Sequence, residues 1–260
     1  MSPPIVEFRG LTKRYGGVTA VDDVSLQVTA GRVVGLLGRN GAGKTTMLRC
    51  LLGLTQPTAG TAMLFGASYR VLASAAHRVG VTLDSIGHLP GATGASELAV
   101  WAKTLGLPRS RVSTVLEQVG LADSAGKRLK AYSTGMKQRH KLATALLADP
   151  EVLILDEPAN GLDPEGVRWL RTTVRGLAAE GRTVLLCSHQ LAEVEQTVDD
   201  VVILQRNVRF AGPLAELTSG GGRLEDRFFD LVGDGESGDK GREHSGIRSE
   251  SRTESGLSHA

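Results

Sequence analysis

Residues 38–45 read Gly-Arg-Asn-Gly-Ala-Gly-Lys-Thr, the spacing G-x-x-x-x-G-K-T, between a compact run from Arg32 to Leu37 and the helically spaced Met47, Leu48, Leu51 and Leu52. Glycines at such a strand-to-helix turn let backbone N–H groups point inward at an anion. The helix N-terminus adds a favourable field, a lysine reaches outer phosphate oxygens, and a hydroxyl is a hard-oxygen ligand for Mg²⁺. Gly38, Arg39, Asn40, Gly41, Ala42, Gly43, Lys44, Thr45 and Thr46 are therefore the candidate phosphate site, with Thr45 the first metal-ligand candidate. A second constellation closes the apolar run Val152-Leu153-Ile154-Leu155 with Asp156-Glu157. Strand periodicity turns neighbouring side chains to opposite faces, so the two acids are expected to do different work. Asp156 would help hold Mg²⁺, and Glu157 would poise a water for attack on a phosphoryl group. A third, Tyr132-Ser133-Thr134-Gly135-Met136-Lys137-Gln138, opens a helical stretch with Ser133 as N-cap, a second place where an anion could be met by free N–H groups.

The elements that must position these residues follow from periodicity. Ile5 to Val28, rich in Val, Leu and Thr and broken at Arg9-Gly10 and Gly16-Gly17, predicts short antiparallel strands. Leu98, Trp101, Ala102 and Leu105, then Val112, Val115, Leu116 and Val119, each fall at i, i+3, i+4, i+7 and predict two amphipathic helices split near Gly106-Leu107-Pro108. A third helix from about Thr134 to Ala148 stops at Asp149-Pro150. Strands over Val152–Leu155 and Thr183–Cys187 flank a helix marked by Val167, Leu170, Val174 and Leu177. Val201–Leu204 with Val208–Phe210 predicts a closing hairpin, and Leu224–Val232 a last helix. Strands alternating with helices imply an α/β fold with a mainly parallel sheet covered on both faces.

Taken in order, the phosphate loop, the helical insertion, Ser-Thr-Gly-Met-Lys-Gln, Leu-Asp-Glu-Pro, Gly-Leu-Asp and Ser-His resemble the ATP-binding-cassette ATPase family over roughly residues 5–232. The resemblance implies a P-loop NTPase core with an N-terminal antiparallel β-subdomain and an inserted helical subdomain, about 86–148, within an ATPase domain spanning 1–232. It implies ATP and Mg²⁺ as cofactors. In the family's terms Gly38–Thr45 matches the Walker A loop, Ser133–Gln138 the signature motif, and Leu155–Pro158 the Walker B strand with Glu157 as its catalytic acid. Asn160–Asp163 matches the D-loop, His189 the switch histidine that would donate to the γ-phosphate, and Tyr15 the aromatic that stacks on adenine. Ser133 and Gly135 would then complete the site of a second ATPase subunit, in a homodimer or a heterodimer. Where the family usually carries Gln, this sequence places Asp84, which could reach Mg²⁺ or its waters but cannot donate as an amide does. Tyr-Ser-Thr-Gly-Met and the ending Leu-Glu-Asp-Arg-Phe-Phe-Asp-Leu resemble ATPase subunits of bacterial drug and antibiotic exporters. On that likeness the chain would sit in the cytoplasm, peripheral on the inner face of the membrane through a separate transmembrane permease.

Composition narrows the field further. Lys and Arg number 30 against 28 Asp and Glu, a net charge of +2 that gives no reason to expect a nucleic-acid partner. Cys50 and Cys187 allow a single intramolecular pairing and read as reduced, small buried hydrophobes, and no apolar run approaches the roughly 20 residues of a membrane span. Any membrane crossing is therefore expected of another chain. The 33 glycines, about 13% against an average near 7%, belong partly to the motifs and partly to Gly233–Ala260, a segment of Gly, Ser and mixed charge expected to be a disordered tail. A soluble translation or repair ATPase would carry two cassettes, long coiled coils or zinc insertions, none of which is visible. A non-hydrolysing ATP-binding module is opposed by the intact Glu157 and His189.

Overall fold

A computed structural model describes residues 4–83 and 87–233. The expectations placed on Asp84, on the first residues of the helical subdomain and on the tail beyond Gly233 lie outside that range.

Two sheets organise the chain. β1 (Val6–Tyr15), β2 (Val18–Val28) and β4 (Ala59–Leu64) form an antiparallel sheet in the order β2-β1-β4. Here the structure corrects the reading of short strands: β1 and β2 are 10 and 11 residues long. Arg9-Gly10 does not end β1 but marks a register shift between Phe8 and Leu11, while Gly16-Gly17 is the tight connection between the two strands. A bulge inserts a residue without terminating the ladder, so a glycine inside a strand is an ambiguous stop signal.

The second sheet has β5 (Val79–Thr82), β6 (Val152–Asp156), β7 (Thr183–Ser188), β3 (Val33–Leu37), β8 (Asp200–Gln205) and β9 (Asn207–Pro213), in that spatial order. The first five are mutually parallel, and β9 closes the edge antiparallel to β8 as the expected hairpin. Helix α1 (Lys44–Leu51) follows β3, and α3 (Gly94–Thr104), α4 (Ser110–Gln118) and α5 (Thr134–Leu146) all lie between β5 and β6. α6 (Pro164–Ala179) joins β6 to β7 and α9 (Leu224–Gly233) ends the described chain. The short helices α2 (Ala75–Arg78), α7 (Leu191–Glu195) and α8 (Leu214–Leu217), like β4, carry no periodic signal strong enough to be read from sequence.

The parallel strands are buried on both faces, and their alternation divides the core. In β6, Leu153 and Leu155 join a cluster with Leu98, Val115 and Leu146 of the helices, while Val152 and Ile154 join one with Met47 and Leu48 of α1 and with the antiparallel sheet. β3 splits likewise into Val33 and Leu37 against Val34 and Leu36, and β7 into Val184 and Leu186 against Leu185 and Cys187. Each fully buried Leu or Val of this kind contributes about 1.5–3 kcal/mol of transfer free energy. Cys50 and Cys187 are buried free thiols, as expected of small hydrophobes, and burial raises the Cys187 thiol well above its ordinary range. Among the described residues no helix is long and apolar enough to cross a membrane.

Candidate functional site

The carboxyl ends of β3 and β6 bring the candidate chemistry together. β3 runs into the glycine-rich loop, and α1 starts at Lys44 with Gly43 as its N-cap. Among the described residues no side chain caps this helix, and no acid sits in its first turn. Its leading N–H groups are therefore left for an outside acceptor, which is the condition for anion binding. Two glycines are obligatory on steric grounds. A Cβ on Gly38 would fall 2.5 Å from the Leu204 carbonyl oxygen and 2.8 Å from Ala42 Cβ. Gly43 has φ +104°, and a Cβ there would sit 2.5 Å from the Ala20 carbonyl oxygen.

Lys44 is buried, its ammonium donating to the carbonyl oxygens of Gly38 at 2.6 Å and Arg39 at 3.4 Å. The loop thus holds a positive charge inside its own curve. Thr45 Oγ1 lies 3.5 Å from Asp156 Oδ2, so a hydroxyl on one element faces a carboxylate on another. That pair of hard oxygens suits Mg²⁺, which takes one or two protein oxygens and leaves its other positions to water and phosphate.

Asp156 is the last residue of β6 and is buried, facing the α1 side with Val152 and Ile154. Glu157 leaves the strand through a left-handed backbone, φ +49°, pinned by its N–H to the Cys187 carbonyl at 3.0 Å. Asp156 and Glu157 line the same cavity, and what separates their surroundings is this turn and not continued strand alternation. Glu157 Oε2 accepts from His189 Nδ1 at 2.8 Å, and the histidine side chain is half exposed. This changes the expectation for His189: a neutral ring that donates through Nδ1 presents Nε2 as an acceptor. Donation from Nε2 to a phosphate then requires the imidazolium form.

Tyr15, Asn40, Gly41, Ala42, Gly43, Lys44, Thr45, Thr46, Asp156 and Glu157 line one cavity of about 420 Å³. Gly38 and Arg39 form the near end of the loop, and His189 is tied in through Glu157. Tyr15 is 46% exposed, with the Lys13 ammonium 4.8 Å from its ring centroid, so one face remains open for stacking. Ala20 also lines the cavity, and no property of its residue type signalled this.

Three further candidates, Ser133, Gly135 and Asp163, lie at the starts of α5 and α6 and neither line this cavity nor adjoin its lining. Ser133 is exposed and caps α5, its Oγ accepting from Met136 N at 3.2 Å. Gly135 approaches Leu162, and Gln138 donates to the Asn160 carbonyl at 3.1 Å, so the α5 start packs on residues 160–162 of its own chain. Asp163 is the N-cap of α6, its Oδ1 accepting from Gly166 N at 2.7 Å.

This arrangement has known counterparts. The ABC transporter family model matches residues 21–160. The chain is 42% identical over 203 residues to the bacitracin transport ATP-binding protein BcrA of Enterococcus faecalis, covering 77% of this chain and 66% of that protein. It is 40% identical over 215 residues to the Nod factor export ATP-binding protein I of Ralstonia nicotianae, covering 81% of this chain and 67% of the relative. It therefore spans about two thirds of the length of these relatives. A solved structure described as the ATP binding subunit of an ABC transporter superposes with a TM-score of 0.79 at 27% identity, covering 87% of this chain and 99% of that one. With more than half of its length matched by the family model, the chain belongs to the ABC transporter family.

Proposed function

We propose that this chain binds ATP with Mg²⁺ and hydrolyses it as the ATP-binding subunit of an exporter whose membrane-spanning part is a separate permease. The observation that carries the reading is the convergence of three devices on one cavity: the uncapped α1 start with Lys44, the Thr45–Asp156 oxygen pair and the Glu157–His189 pair. In this reading the loop N–H groups and Lys44 hold the β- and γ-phosphates, and Thr45 and Asp156 hold Mg²⁺, which offsets phosphate charge. Glu157 accepts the proton of the attacking water while His189 holds its Oε2 in place. Tyr15 supports the adenine ring.

Ser133 and Gly135, exposed or half-exposed away from this cavity, serve the nucleotide of a second ATPase subunit, with Asp163 at the junction. The cassette occupies residues 1–232, with residues 86–148 as the helical subdomain and a tail from 233. The relatives named for bacitracin transport and Nod factor export favour a small-molecule substrate and a place on the inner face of the membrane.

The test is nucleotide binding and turnover by the purified chain and by Lys44→Ala. Losing charge-assisted contacts worth about 1.5–3 kcal/mol should weaken ATP affinity about 10- to 100-fold. Equal affinity in the two proteins, or no ATP binding by the unmodified chain, refutes the reading.

A further inference from the structure

Away from the nucleotide cavity, three titratable side chains from three different segments meet at one point. His88 comes from the loop leading to α3, Glu97 from the first turns of α3, and His140 from the middle of α5. One ligand-capable atom from each lies within 4.8 Å of the others. Glu97 Oε2 is the hub, 3.0 Å from His88 Nδ1 and 3.4 Å from His140 Nδ1. Glu97 is buried and His140 has no exposed surface, while His88 is partly exposed at the rim.

The hydrogen bonds around the three fix which atoms are left over. Glu97 Oε1 accepts from the Leu89 N–H at 2.5 Å, which orients the carboxylate and leaves Oε2 facing the imidazoles. His140 Nε2 lies 3.0 Å from the Gly94 carbonyl, an acceptor only, so Nε2 carries the proton. His140 Nδ1 then presents a lone pair toward a carboxylate oxygen, and among the described residues no donor reaches it. Two acceptors facing each other at a buried position repel unless something positive lies between them.

We propose that His88 Nδ1, Glu97 Oε2 and His140 Nδ1 bind a divalent transition ion of the Zn²⁺ class. Two imidazoles and a carboxylate are a donor set suited to such an ion. Tetrahedral ligands at about 2.0–2.1 Å from zinc stand roughly 3.3–3.4 Å apart, close to the two separations seen here. The Nε2–H of His140 on a backbone carbonyl is the usual outer contact of a ligating histidine, fixing ring and tautomer. His88 and Glu97 also border a cavity of about 210 Å³ with Trp101 and Lys141, which gives water access to a fourth position. The ion ties the loop after β5 to α3 and α5, the helix whose first turn carries Ser133 and Gly135.

The experiment uses the full chain, stripped with chelator and dialysed, with Zn²⁺ competed against a chromophoric chelator and Co²⁺ read by visible absorption. The expected result is one tightly held equivalent, a tetrahedral Co²⁺ spectrum without thiolate charge-transfer bands, and a melting temperature that rises with Zn²⁺. His88→Ala, a loop change that leaves the interior packed, should weaken Zn²⁺ binding by about 100-fold or more and abolish the thermal shift. Glu97→Gln should do the same. Absence of a retained equivalent at micromolar Zn²⁺ overturns the proposal, and so does affinity unchanged in both variants, which would assign the metal to other histidines or the thiols.

Discussion

Under the proposed function, replacing Glu157 by Gln separates binding from chemistry in the cavity. Gln has the same length, and its amide oxygen can still accept from His189 Nδ1, so the 2.8 Å contact and the left-handed turn at φ +49° are kept. Only the ability to take a proton is lost. A positioned general base is worth about 10²–10⁴ in rate, or about 2.7–5.4 kcal/mol at 1.36 kcal/mol per decade. The effect on affinity runs the other way and is small. Removing one negative charge about 6 Å from a phosphate, one hydrogen-bonded water away, relieves about 0.7 kcal/mol of repulsion in a solvated cleft, roughly a threefold tightening. The assay is paired: equilibrium binding of ATP and single-turnover hydrolysis, with the proposed permease and second ATPase subunit present. The expected outcome is a rate lower by at least about 100-fold with affinity equal or slightly tighter. Hydrolysis within threefold of the unmodified rate would refute the base assignment and leave Glu157 as a prop for His189. A parallel fall in affinity and rate would refute it too, by placing Glu157 in ground-state binding.

Two further predictions concern what holds the site's scaffold. Gly80 of β5 lies so close to α5 that a Cβ there would sit 2.2 Å from the Ala145 carbonyl oxygen and 2.9 Å from Pro150 Cγ. Gly80→Ala should cost about 2–3 kcal/mol by forcing helix and strand apart, lowering the melting temperature by about 5–10 °C; an unchanged melting curve would contradict this packing. At the opposite end of the sheet, burial pushes the Asp199 carboxyl up, but the Val33 N–H at 2.8 Å and Arg175 at 2.6 Å outweigh it and hold the group below its ordinary value. The unfolded chain therefore binds the proton more readily, and the stabilisation is complete above the unfolded value near pH 4 and lost as pH falls through the folded one. Asp199→Asn should be less stable by about 1–2 kcal/mol at pH 7, with the gap narrowing toward pH 3 in denaturant titrations. A gap independent of pH would show that the carboxylate charge is not what matters.

How much of this was legible in the sequence depends on whether the physics is local. The glycine-rich loop can be read because its demands fall on nine consecutive residues: glycine where a Cβ would strike a neighbouring carbonyl, lysine and threonine at the helix start. Helix starts at Ser133 and Asp163 carry their caps within three residues. Glu157 was harder, because strand alternation treats it as one more strand residue while the chain turns there through a left-handed backbone that no residue type announced. Ala20 enters the cavity only because β2 lies beside the loop. The His88, Glu97 and His140 cluster spans 53 residues with no motif spacing, and only the packing of α3 on α5 reveals it.

Strand register explains why the distant pieces still meet. In the parallel ladder Leu37 pairs with Ser188, and Asp156 pairs with Cys187. β3, β6 and β7 therefore end at one level, and the residues just past those ends, the glycine loop, Glu157 and His189, emerge on the same edge of the sheet. Ligands of open α/β sheets bind at that carboxyl edge because all parallel strands deliver their loops to it. The Glu157–His189 hydrogen bond is then a consequence of register: slipping β7 by one residue against β6 would exchange the faces of Leu186 and Cys187 and move His189 along the sheet by about 3.3 Å. The two-sided burial of β7, with Val184 and Leu186 in one core and Leu185 and Cys187 in the other, forbids that slip. The apolar pattern of an interior strand thus fixes the geometry of a histidine it does not contain.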